Sequence, residues 1–285
     1  AEEQLWQSAE DGVAASLDSA RRELKMGGRL QDKVAIVTGG AGGIGAASAR
    51  LMAREGAKVV VTDIADGTAL ANEIGGRFVQ LEVTDETAWR NLAEEVRADL
   101  GGADILLNAA GVEGDMSDSS PLGSYAEWKR VMAINLDGTY LGIQAILPGM
   151  MERGNGSIIN VASLVTYIAQ PYSVPYGASK AAVWHLSRSV AAFAAVAGTK
   201  VRCNSVHPGL IRTRMTDDIF ATLGKQFGLD QAAAEAAALH HIPLGHRGEP
   251  DDVGHLIVYL ASDEAAYITG SEFKVDGGWS LGVLR

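Results

Sequence analysis

The chain has 285 residues, 47% hydrophobic and 21% charged, with 34 glycines, one cysteine and a formal net charge of −11. That length fits one large globular domain or two small ones with a full core. The acidic balance argues against a nucleic-acid partner, the lone Cys203 excludes an internal disulfide, and no apolar run is long enough to span a membrane.

The start is acidic and has no apolar signal region, and a lone thiol suits a reducing compartment, so a cytoplasmic location is expected. Across residues 1–25, Trp6, Ala9, Val13, Leu17, Ala20 and Leu24 recur at helical spacing. They predict an amphipathic N-terminal helical extension whose apolar stripe needs a cover. Met26 then opens a segment that resembles a natural N-terminus, so the preceding stretch is expected to be an extension, a processed leader or an expression remnant.

From Lys33 onward, short apolar runs alternate with helical patterns. Strands are predicted at 33–38, 58–63, 77–83, 104–108, 157–162, 200–206 and 271–275. Helices are predicted at 43–55, 67–74, 86–100, 124–150, 176–197 and 250–261. Such alternation predicts an α/β chain: a single doubly wound Rossmann domain over 26–285, with about seven parallel strands flanked by helices. Ligands in such folds bind at the carboxyl ends of the strands.

The run TGGAGGIG, residues 38–45, follows the first strand and opens the first helix. Glycines there allow a sharp turn and close approach to a pyrophosphate, and the helix N-terminus offers free N–H groups. Asp63 ends the second strand, where a carboxylate accepts the adenosine-ribose hydroxyls and repels a 2′-phosphate. No Lys or Arg within 38–45 offsets that repulsion, so NAD is the expected cofactor. In YGASK, Tyr176 and Lys180 sit at i and i+4, one turn apart on a helix. An ammonium there favours the phenolate. The six histidines show no metal-ligand spacing, and no metal site is expected.

With glycines spaced TGxxxGIG (Gly39, Gly43, Ile44, Gly45) and a YxxxK pair, the chain resembles the short-chain dehydrogenase/reductase family. The likeness runs over residues 30–280. NAAG (108–111), Asn135 in AINLDG, Ser163 in NVAS, NSVHPGLIRT (204–213) and VDGG (275–278) follow in order. The resemblance implies a catalytic tetrad of Asn135, Ser163, Tyr176 and Lys180. Tyr176 would be the general acid/base, Ser163 would hold the substrate oxygen, Lys180 would bond the nicotinamide ribose, and Asn135 would hold a relay water. It also implies cofactor contacts from Val83 near the adenine, from Asn108, Ala109 and Gly111 at the fourth strand end, and from Pro208, Ile211 and Thr213 near the nicotinamide. Two departures are Glu82 where the family often has Asp, and NAAG where it often has NNAG.

Three stretches are expected to wall the substrate pocket: 112–125, 164–175 and a lid within 210–246. Val165, Tyr172, Leu210 and Met215 are the expected substrate contacts beside Ser163 and Tyr176. Tyr167 and Ile168 add apolar surface, as do Ile219, Phe220, Leu223, Phe227 and Leu229 in the lid. The expected substrate is a hydrophobic secondary alcohol or its ketone, cyclic or steroid-like, as in bacterial hydroxysteroid dehydrogenases of this family. A 3-oxoacyl-carrier-protein reductase is the alternative; it would need basic surface, for which Arg212 and Arg214 are the candidates. A non-catalytic NAD-binding interaction protein, docking through residues 1–25, is the alternative of another class. The family further implies a homotetramer or dimer paired through the helices at 124–150 and 176–197.

Overall fold

A computed structural model describes residues 28–116, 122–169, 171 and 173–283. The helix expected over 1–25 and the expected substrate contact Tyr172 lie outside the described residues. Seven strands form one parallel sheet: β1 (Val34–Thr38), β2 (Lys58–Asp63), β3 (Arg77–Gln80), β4 (Ile105–Asn108), β5 (Asn155–Val161), β6 (Lys200–Pro208) and β7 (Glu272–Val275). Their spatial order is β3-β2-β1-β4-β5-β6-β7. The order reverses between β1 and β4, and a crevice opens there beyond the strand ends.

Period-2 alternation explains why both faces are covered. Along β1, Ala35 and Val37 join one core while Val34 and Ile36 join the other. The first core is closed by α1 (Gly43–Arg54), α2 (Thr68–Glu73) and α9 (Pro250–Ala261). The second is closed by α3 (Glu86–Leu100), α5 (Gly138–Arg153) and α6 (Val174–Val196). A strand buried on both faces is apolar throughout, which is what VAIVT shows. Cys203 is fully buried in the second core, as a structural thiol should be.

The helix expected over 124–150 is broken. α4 (Tyr125–Met132) runs into a π-helical turn, Ala133–Asp137, before α5 begins. Periodicity at 3.6 residues does not reveal a single widened turn, and such turns often mark functional positions. Beyond β6, α7 (Arg214–Phe227) and α8 (Gln231–Leu239) form a helical pair over the strand ends. No described helix is long and apolar enough to cross a membrane.

Candidate active site

The site grows from the strand ends. β1 feeds the glycine turn directly: Gly39 has φ 64° and Gly43 has φ 52°. A Cβ on Gly45 would fall 2.2 Å from the Gly39 carbonyl oxygen, so only glycine closes this turn. Some helices, α3 among them, spend a side chain on their N-termini. Asp85 caps α3 by accepting from the Thr87 and Ala88 amides at 2.8 and 3.0 Å. α1 has Gly42 at its cap, no side-chain bond there and no acid in its first turn. Its N–H donors remain open to an anionic ligand.

Asp63 closes the far side of the turn. Its Oδ2 accepts from the Ala41 amide at 3.0 Å and its Oδ1 from the Ala65 amide at 2.9 Å. The carboxylate is thus held beside the glycine loop, as a ribose-binding acid requires. Val83 is buried against Gly138, whereas Glu82 is exposed and accepts from the Thr84 hydroxyl at 3.2 Å. Asn108 turns inward: its amide donates to Asn160 Oδ1 at 2.9 Å, and Asn160 donates to Ser187 at 2.9 Å. This tie braces β4 to β5 and α6. Thr38 Oγ1 accepts from the Ala109 and Ala110 amides at 3.0 and 3.1 Å and sets the course of the NAAG turn.

A cavity of about 470 Å³ opens between these turns and the helical pair. Ser163, Tyr176 and Lys180 line its inner end, with Ile44, Ala109 and Gly111 beside them. Val165, Leu210, Met215, Pro208, Ile211 and Thr213 line it too. So do the apolar residues expected from the lid, Ile219, Phe220, Leu223, Phe227 and Leu229. The uncapped glycine turn, the held Asp63 and the adjoining cavity suit a dinucleotide.

Within the tetrad, Asn135 sits in the π turn and is fully buried. Its Oδ1 accepts from the Val112 amide at 2.8 Å, and its Nδ2 donates to the Val112 carbonyl at 2.9 Å and to Ser179 at 3.0 Å. The whole amide is therefore engaged in fixing the segment after β4 against α6. Lys180 is 5% exposed, and its Nζ donates to the Val161 carbonyl at 2.8 Å. Two ammonium donors remain for other acceptors. Burial lowers its pKa to about 8, partly offset by Glu113.

The Tyr176 phenol behaves differently from the simple expectation. Burial and the negative charge of Glu113 raise its pKa above the usual value; a hydrogen bond with Ser163 works the other way. Desolvation of the phenolate is the largest cause, and it opposes the ionisation that the Lys180 spacing suggested. Ser163 caps a short 3-10 turn, Leu164–Thr166, and its carbonyl lies 3.1 Å from His207 Nδ1. His207 is fully buried inside β6. Its other nitrogen meets Ser205 Oγ at 2.9 Å, and burial drives its pKa down to about 4. It is a neutral brace for the Ser163 backbone.

One wall residue was placed wrongly by pattern alone. Tyr167 does not line the cavity. Its ring packs 5.1 Å from His207 and 5.8 Å from Trp184, with Lys274 Nζ 4.2 Å from its centre. Ile168, the next residue, does face the cavity. Glu113 and His241 line the cavity from stretches expected to wall it, 112–125 and 210–246, whereas Trp279 lies outside all three. Trp279 stacks on His241, 6.3 Å away at 14°, and reaches the site because the C-terminal turn folds back.

A family model described as enoyl-(acyl carrier protein) reductase matches residues 39–280. The chain belongs to the short-chain dehydrogenase/reductase family and is an oxidoreductase of that family. It is 41% identical over 270 residues to a 3-alpha-(or 20-beta)-hydroxysteroid dehydrogenase of Mycobacterium bovis, covering 91% of this chain and 94% of that protein. It is 40% identical to an NADP-dependent (R)-specific alcohol dehydrogenase of Lentilactobacillus kefiri, over 88% of this chain and 98% of the other. The crystal structure of levodione reductase superposes with a TM-score of 0.82 at 27% identity, covering 89% of this chain and all of that one.

Proposed function

We propose that the protein interconverts a hydrophobic, cyclic or steroid-like secondary alcohol and its ketone with NAD(H). The observation that carries this reading is the placement of Ser163, Tyr176 and Lys180 together at the inner end of an otherwise largely apolar cavity. The relative named as a hydroxysteroid dehydrogenase supports the substrate class. The nicotinamide supplies the hydride acceptor or donor and, when oxidised, positive charge. Tyr176 exchanges the proton at the reacting oxygen, and Ser163 Oγ fixes that oxygen and steadies its developing charge. Lys180 contributes its ammonium to the same field, and Asn135 holds the segment after β4 in register with α6.

Asp63 supports NAD over NADP: a carboxylate held beside the glycine loop would repel a 2′-phosphate. The carrier-protein alternative finds less support. Arg212 pairs with Glu249 at 2.9 Å and Arg214 with Asp218 at 3.7 Å, so neither presents unopposed positive charge to an acidic partner. The tetrad argues against a non-catalytic role. For assembly, Tyr140, Phe193 and Val196 expose apolar surface on α5 and α6, which supports pairing through those helices.

The test is NADH absorbance with cyclic alcohols, hydroxysteroids and small charged alcohols, each with NAD and NADP in parallel. Turnover of the first two groups with NAD is expected. Activity confined to small charged substrates would overturn the substrate class, and a preference for NADP would overturn the role of Asp63.

A further inference from the structure

Glu113 is the acidic residue that lines the cavity beside Ser163, Tyr176 and Lys180, in a wall otherwise formed by residues such as Met116, Leu164, Val165 and Met215. The backbone is fastened on both sides of it. Val112 is clamped in both directions by the Asn135 amide, at 2.8 and 2.9 Å. The Glu113 carbonyl accepts from Ser173 Oγ at 2.7 Å. Gly114 follows with φ 99°, and a Cβ there would lie 3.2 Å from Val131 and 3.3 Å from Glu127 Oε1. The Asp115 amide donates to that same Glu127 oxygen at 2.7 Å. The Glu113 side chain therefore leaves the loop from a fixed point.

Its carboxyl has no hydrogen-bonding partner among the described residues. It lines the same cavity as Lys180 and Tyr176, and its negative charge raises the pKa of both. A carboxyl facing an apolar cavity is costly unless something bonds it. Burial raises its pKa to about 7, so near neutrality it can accept from a hydroxyl or, protonated, donate to a carbonyl.

We propose that Glu113 recognises a second oxygen on the substrate, so that the preferred substrates are alicyclic diols and hydroxyketones rather than mono-alcohols. This rests on the dehydrogenase reading above. It makes Glu113 a specificity residue: the reacting oxygen goes to Ser163 and Tyr176, and the distal oxygen bonds the carboxyl.

The experiment compares kcat/KM for cyclohexanol with that for the cis and trans isomers of 1,2-, 1,3- and 1,4-cyclohexanediol. It uses wild type, Glu113→Gln and Glu113→Leu. In wild type, at least one diol should exceed cyclohexanol by about tenfold or more, the worth of one charge-assisted hydrogen bond. In Glu113→Leu that ratio should collapse toward unity. Glu113→Gln keeps the volume and should lose part of the ratio; it carries the test if the leucine variant does not fold. An effect of Glu113 only through Lys180 would slow all substrates together and leave the ratio intact. A wild type without diol preference, or a preference that survives in both variants, overturns the proposal while leaving the dehydrogenase reading in place. Inertness toward every alcohol in the panel with either cofactor overturns both.

Discussion

Lys180 Nζ lies 5.8 Å from the centre of the Tyr176 ring, on the same helix and one turn further on. The ammonium is fixed there by the Val161 carbonyl. With burial and Glu113 both raising the phenol's pKa, the tyrosine is held protonated as a proton donor toward a ketone. Tyr176→Phe removes that proton and little else. Turnover should fall by about 10²–10⁴-fold, the usual worth of a positioned acid/base. NADH binding, followed by fluorescence titration, should change little, and substantial residual turnover in a clean preparation would remove Tyr176 from its role.

Lys180 loses its proton above pH about 8. The free enzyme's kcat/KM for ketone reduction should therefore decline as pH rises through that value. Glu113 raises the Lys180 pKa, so Glu113→Gln should move the break to lower pH. A break that stays in place in the variant would show that the carboxyl does not act on Lys180.

The Asp63 carboxylate accepts the Ala41 amide of the glycine loop. Asp63→Ala removes a ribose acceptor and the repulsion of a 2′-phosphate together. NADH should bind on the order of tenfold more weakly, as for one lost hydrogen bond to a charged group. NADPH should bind no worse than before or better. The ratio of the two dissociation constants is the measurement, and an unchanged ratio would sink the assignment.

Stability against pH should expose two opposed groups, the buried His207 and the partly buried Glu113. Burial lowers the His207 pKa to about 4 from the ordinary 6.5, so the unfolded chain takes up its proton first. Stability from this group falls as pH drops from about 6.5 to about 4. Glu113 titrates at about 7 folded against 4.5, so the folded chain holds the proton between those values. Its contribution rises as pH falls from about 7 to about 4.5. Glu113→Gln removes the second effect and leaves the first. Its melting temperature should therefore fall more steeply than that of wild type between pH 7 and 4.5. Parallel melting curves for the two proteins would show that the carboxyl is not buried as described.

The strands and most helices were legible because their cause is local. Apolar runs such as VAIVT, the period of residues 86–100 and the glycines of TGGAGGIG carry their signal within a few residues. The YxxxK pair shared a helix face for the same reason. Tyr167 shows where locality ends: it and Ile168 are neighbours in sequence, yet one enters an aromatic cluster with His207 and Trp184 and the other enters the cavity. The π turn that carries Asn135 left no mark in the hydrophobic period, because one widened turn shifts the register by a single residue.

Sequence by itself determined the parallel α/β architecture and the glycine turn with Asp63 behind it, and its likeness to the family singled out Asn135, Ser163, Tyr176 and Lys180. Tertiary structure alone decided that Glu113 faces those residues, that His207 is a neutral brace for Ser163, and that Trp279 returns to the cavity. The physical reason is range. Backbone conformation and burial period are set by near neighbours in the chain, whereas desolvation and charge coupling depend on which distant segments the fold packs around a group.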